Sequence, residues 1–187
     1  MKICGITRDD DARAAAQLGA DFLGFIFVAE SPRCVTAERA RDLESGGATR
    51  VGVFRNAAVA EILRIAEIAR LDCIQLHGEE DEDVVRAMPL PVIRAYRVAQ
   101  TLPAIETSAR YVMFDSGGGT GRAFDWSLLD AYDGAKPFFL AGGITPDNAR
   151  DALRARPFAI DVASGVERAP GIKDHEAMKR LFEGVKR

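Results

Sequence analysis

Three cysteines, two histidines and one tryptophan are spread thinly through 187 residues. Cys4, Cys34 and Cys73 include no CxxC pair and are too scattered for a disulfide framework, so a reduced, cytoplasmic compartment is expected. His77 and His175 form no HxxxH pair and no His/Cys cluster, which removes the usual metal-ligand spacings. No apolar run approaches the roughly 18 residues of a membrane helix, and no charged-then-apolar leader opens the sequence. Basic charge is also scarce: 25 Lys and Arg against 28 Asp and Glu give a net charge of −3, without the basic footprint of a nucleic-acid binder. Pro/Ser-rich linkers and low-complexity tracts are missing as well, so residues 1–187 are expected to form a single domain.

What is present is alternation. Short apolar runs begin near Lys2, Asp21, Arg50, Asp72, Pro91, Arg110, Pro137 and Phe158. Several are apolar at nearly every position, as strands buried on both faces are. Helical patterns lie between them. From Val59, apolar residues recur at Ile62, Leu63, Ala66 and Ala69, with Asn56 placed as a cap. Thr7 and Asp10 form an acidic variant of a capping box. Thr145-Pro146-Asp147 reads as a cap, a first-turn proline and an acidic first turn. The connection from Val98 to Ala109, broken by Pro103, is the weakest helix. Eight strand–helix units predict an α/β chain folded as a compact (β/α)8 TIM barrel. A flavodoxin-like open sheet is the alternative, but it normally uses five or six strands.

In a barrel the chemistry collects where strands end. Cys4 ends the first strand and reads either as a small buried hydrophobe or as a thiolate base. Lys2 shares its parity, so both side chains point inward and the cation favours the thiolate. Asp115 ends the apolar run YVMF, where burial would raise its pKa toward that of a general acid; a turn residue is the alternative. Gly142-Gly143 and Ser164-Gly165 end the seventh and eighth strands, the two loops whose amides commonly hold phosphate in this fold. Cys73 reads as packing, and Cys34 sits in a loop with no evident partner. Arg33 is either a fork for a substrate carboxylate or a solvated loop residue. His77 either orients a substrate or hydrogen-bonds within its loop. Asp161, inside the last strand, needs a cation such as Lys2 or a substrate hydroxyl. The glycine-dense loop Gly117–Gly121 reads as a lid, an anion nest or a plain connector, and it is no Walker A motif.

Taken together, KICGIT (2–7), LGFIF and SPR (23–27, 31–33), VGVF (51–54), QLHG (75–78), Asp115 with GGTG (118–121) and FDW (124–126), LAGGITPDN (140–148), and DVASGVE with PGIKD (161–167, 170–174) resemble the phosphoribosylanthranilate isomerases. The resemblance spans the whole chain. It implies a cofactor-free and metal-free Amadori rearrangement of N-(5-phosphoribosyl)anthranilate in tryptophan biosynthesis, yielding 1-(2-carboxyphenylamino)-1-deoxyribulose 5-phosphate. On that resemblance Asp115 protonates the ribose ring oxygen, and Cys4 takes the C2′ proton. Arg33 binds the anthranilate carboxylate, and His77 and Asp161 line the sugar site. Gly142, Gly143, Ser164 and Gly165 hold the phosphate. The expected partner is a small phosphosugar, with no nucleic acid or membrane, for a monomer or homodimer. Cys34 departs from the pattern by replacing an aromatic residue after SPR, and the stretch around Glu44–Thr49 is clipped.

Other readings are an indole-glycerol-phosphate synthase, which needs a Lys/Glu set at the strand ends, and a histidine-pathway isomerase, which needs a carboxylate in place of Cys4. A non-catalytic phosphate-binding module would keep the glycine loops and have no use for Cys4 and Asp115. A second activity on the histidine-pathway aminoaldose is left open.

Overall fold

The computed structural model describes residues 1–117 and 123–185; most of the glycine-dense loop after strand six lies outside them. Its elements are β1 (Lys2–Cys4), α1 (Asp9–Leu18), β2 (Phe22–Ile26), α2 (Ala37–Asp42), β3 (Thr49–Phe54), α3 (Val59–Ala69), β4 (Cys73–Leu76), α4 (Glu82–Ala87), β5 (Val92–Arg97), β6 (Tyr111–Asp115), β7 (Phe138–Leu140), α5 (Ala149–Ala152), β8 (Ala159–Val162), a hairpin of β9 (Glu167–Ala169) and β10 (Ile172–Lys173), and α6 (His175–Val185). Strands β1 to β8 pair with their sequence neighbours, and β1 pairs with β8. The sheet is therefore closed, and the chain is a TIM barrel rather than an open sheet.

Closure explains the apolar runs. Val51, Cys73, Ile93, Met113 and Phe139 fill the barrel interior. The alternate residues Leu23, Ile74, Val112, Phe114 and Ile160 face the helices in the second core layer. Both faces of the barrel strands are buried along most of their length, and exposure is confined to a strand end, at Arg97 of β5. The packing reading of Cys73 matches its place in that interior. Inward parity also carries polar residues: Lys2 lies deep in the barrel with its Nζ 3.0 Å from Asp161 Oδ1. Gly24, beside β1, makes room for this, because a Cβ there would lie 2.7 Å from Cys4 Sγ and 3.1 Å from Lys2 Nζ.

The helices depart from expectation more than the strands. Thr7 does not cap α1; its hydroxyl donates to Gly171 O at 2.6 Å. The helix starts after Arg8 with Asp9, Asp10 and Asp11 in its first turn, where the macrodipole favours them. Asn56 does not cap α3: it takes a left-handed conformation, and its Oδ1 accepts from Glu79 N–H. At the 145–148 turn the side-chain contact runs backwards, Asn148 Oδ1 accepting from Thr145 N–H at 2.8 Å. Between Val98 and Arg110 no helix forms. That connection is pinned to α4 instead, with Ser108 N–H and Oγ–H both donating to Glu82 Oε2. The β6–β7 connection carries a 3₁₀ helix, Trp126–Ala131, in place of an α-helix.

A buried ion pair is weak evidence for net stability, but breaking one partner leaves a costly orphan charge. Lys2→Met is expected to lower the unfolding free energy in urea by about 3–5 kcal/mol. Adding Asp161→Leu should restore much of it. A double variant as unstable as the single one contradicts the pairing.

Candidate active site

Inward parity at the carboxyl ends of the strands brings the chemistry-bearing residues onto one cavity of about 300 Å³. Cys4 lies at the end of β1, Asp115 at the end of β6, Asp161 on β8, and His77 just past β4. Arg33 comes from the β2–α2 loop, and Gly142, Gly143, Ser164 and Gly165 from the loops after β7 and β8. All nine residues singled out from the sequence line this cavity. Cys34, by contrast, is exposed and absent from its lining.

The protonation states differ from the sequence reading. Burial pushes the Cys4 thiol up, and the nearby charge of Lys2 only partly opposes this. Lys2 is already paired with Asp161, whose own charge also disfavours a thiolate. Cys4 therefore rests as a thiol, although Lys2 favours the thiolate as its shared parity suggested. Asp115 moves the other way. Burial raises it, but the hydrogen bond and charge of His77, the Gly117 amide and Lys2 together hold its carboxyl below the ordinary range. His77 Nε2 lies 3.2 Å from Asp115 Oδ2, and Gly117 N–H donates to Oδ1 at 3.0 Å. Asp115 rests ionised rather than with the raised pKa its apolar strand suggests.

Arg33 is neither solvated nor an open fork. Its Nε donates to both oxygens of Glu167, at 2.9 and 3.1 Å, and Nη2 donates to Oε2 at 2.6 Å, leaving Nη1 outside the pair. Glu167 also takes Lys173 Nζ at 2.8 Å, and this fully buried ammonium donates to the carbonyls of Cys4 and Ala163. One ionic chain thus ties the carboxylate-binding candidate to the backbone of Cys4. Gly5 belongs to the same design: its φ is +74°, and a Cβ would lie 2.6 Å from Arg33 Cδ. Glu167 and Lys173 were not singled out from the sequence. The signal was the Pro170-Gly171 turn between ERA and IK, a hairpin that folds Lys173 back over Glu167.

The two glycine loops meet. Gly142 and Gly143 have φ of +86° and +66°, and a Cβ on Gly165 would strike the Ile144 carbonyl. Among the described residues, the amides of Gly143, Ser164 and Gly165 donate to no backbone or side-chain acceptor. Asn148, also missed, holds the β7 loop in shape by donating from Nδ2 to Gly143 O at 2.9 Å. Convergent amides without acceptors at the rim are suited to an anion.

Residues 1–184 match the family model described as N-(5'phosphoribosyl)anthranilate (PRA) isomerase. The chain belongs to the N-(5'-phosphoribosyl)anthranilate isomerase family. A relative of that name from Pseudomonas fluorescens is 43% identical over 200 residues, covering 99% of this chain and 97% of the relative. The phosphoribosyl anthranilate isomerase structure from Thermus thermophilus superposes with a TM-score of 0.90 at 39% identity, covering 98% of this chain and 96% of that one. A further phosphoribosyl anthranilate isomerase structure holds reduced 1-(o-carboxyphenylamino)-1-deoxyribulose 5-phosphate, with a TM-score of 0.84, 36% identity and 98% and 96% coverage.

For this member of the isomerase family, Gly165→Val should force the β7 and β8 loops apart and weaken phosphate-ligand binding much more than Ser164→Ala. Calorimetric titration with a phosphorylated product analogue checks this. Equal losses in the two variants argue against a backbone cradle.

Proposed function

We propose that residues 1–187 act as one catalytic domain that isomerises N-(5-phosphoribosyl)anthranilate to 1-(2-carboxyphenylamino)-1-deoxyribulose 5-phosphate in tryptophan biosynthesis. The carrying observation is that Cys4 and Asp115, a thiol and a carboxyl with opposed protonation, line one cavity facing two glycine loops. A phosphate on the amides of Gly142, Gly143, Ser164 and Gly165 would fix one end of the substrate. Arg33 Nη1 would receive the anthranilate carboxylate at the other end, while His77 and Asp161 line the sugar between them. Such fixation of both ends converts weak acid–base groups into effective ones.

The proton inventory suits this reaction. The resting form is a Cys4 thiol with an Asp115 carboxylate, and the active form moves one proton from Cys4 to Asp115 with no change in net charge. Asp115 gives that proton to the ring oxygen as the C1′–O bond breaks, leaving a cationic imine. The Cys4 thiolate then removes the C2′ proton, which the adjacent cation has acidified, and an enolamine forms. Protonation at C1′ from Cys4 and loss of the C2′ hydroxyl proton to Asp115 give the ketone and restore the active form. Every proton that leaves one group is accounted for on another.

The three cysteines are free, as suits a reduced, cytoplasmic compartment, where the protein acts on a small phosphosugar as a monomer or homodimer. Among the described residues no helix is long and apolar enough to cross a membrane.

Turnover of freshly generated phosphoribosylanthranilate tests the proposal. Wild type should turn it over, and Cys4→Ser and Asp115→Asn should each lower kcat by about 10²–10⁴-fold at little-changed affinity for a product analogue. A folded wild type that binds phosphorylated ligands without turnover overturns the isomerase reading in favour of a binding module.

A further inference from the structure

Asp115 rests ionised, and the titratable side chain paired with it is His77, 3.2 Å away, so the ring nitrogen that carries the His77 proton decides what Asp115 faces. We propose that Gln75 is the positioning residue that makes this choice. The inference rests on the reading of Asp115 as the acid.

Gln75 lies on β4, two residues before His77, so strand parity points both into the cavity. It is buried, and its Nε2 stands 2.8 Å from His77 Nδ1 and 3.4 Å from Met113 Sδ. An amide nitrogen donates, so Nδ1 accepts and the ring proton sits on Nε2, aimed at Asp115 Oδ2. This orientation leaves Gln75 Oε1 buried with no hydrogen-bond partner among the described residues. An orphaned buried carbonyl is costly, and a half-turn of the amide removes it only when Nδ1 carries a proton to donate.

The amide therefore has two settings, and they report the proton count of the pair. With its NH₂ toward Nδ1, His77 is neutral and donates to the Asp115 carboxylate. With its carbonyl toward Nδ1–H, the imidazole and Asp115 together hold one more proton, the one Asp115 needs in order to act as an acid. A glutamine serves both settings. A glutamate serves only the second, and a methionine neither. The other titratable or charged groups lining the cavities that His77 faces are Cys4 on β1, Arg33 in the β2–α2 loop, Arg55 after β3, Glu79 on its own loop, Tyr96 and Arg97 on β5, Asp115 on β6 and Asp161 on β8. All of them are unchanged in the variants below.

Nitrogen-15 NMR of the His77 ring reads this directly. Wild type at neutral pH should show a bare Nδ1 and a protonated Nε2. Gln75→Glu should carry protons on both nitrogens to higher pH, and the acidic limb of its kcat profile should move up with them. Gln75→Met should lose about tenfold to a hundredfold in kcat with KM for phosphoribosylanthranilate little changed. A wild-type ring protonated on Nδ1 overturns the proposal, as does a kcat–pH profile identical in wild type and Gln75→Glu. If Gln75→Glu fails to fold, the wild-type spectrum and the kcat–KM split in Gln75→Met still decide it. The predicted ring protonation in a wild type that does not isomerise the substrate overturns only the isomerase reading.

Discussion

Each reactive group in the cavity is placed by the pairing of β1 with β8. That contact sets Lys2 opposite Asp161 and Ile3 opposite Val162, and it turns a row of parallel strands into a ring. In an open sheet Cys4 and Asp115, on the first and sixth strands, would stand several strand spacings apart. In a ring they share a rim. Alternation along each strand then decides what points inward, and beneath the rim it points Lys2 at Asp161. Their pair keeps a carboxylate tolerable inside an apolar barrel and sets the Asp161 charge against the Lys2 charge that favours a Cys4 thiolate.

The strands were legible because burial on both faces writes apolar residues at nearly every position. The helices were less so. Thr7 and Asn56 have the chemistry of caps, but tertiary contacts claim them: the Gly171 carbonyl takes the Thr7 hydroxyl, and the β4 loop binds Asn56. Local hydrogen-bonding capacity says that a residue will find a partner and not which one. The Val98–Arg110 segment shows the same limit, since Glu82 supplies from another element the anchoring that a helix would supply from within.

The site divides along the same line. Which residues meet could be read from strand ends and parity, because one geometric rule of the fold governs them. Their charge states could not. Asp115 follows an apolar run, which alone argues for a raised pKa, yet His77 and the Gly117 amide reverse the sign. Arg33 looks like an open fork until the β9–β10 hairpin folds Glu167 and Lys173 against it. A pKa is set by neighbours within a few ångströms, and those neighbours come from distant parts of the chain.

In the proposed mechanism the labour is divided: Asp115, carrying the proton that Cys4 gave up, opens the ring, and the Cys4 thiolate attacks C2′ only after that opening. Borohydride trapping tests it most directly, because an opened imine is reduced to a stable open-chain amine that mass spectrometry detects. Incubated with phosphoribosylanthranilate at mildly acidic pH, where solvent replaces the proton that Cys4 supplies, Cys4→Ala should accumulate the opened imine and give the reduced amine, while Asp115→Asn should stall earlier and give none. Trapped amine from Asp115→Asn and none from Cys4→Ala would contradict the assignment of both residues.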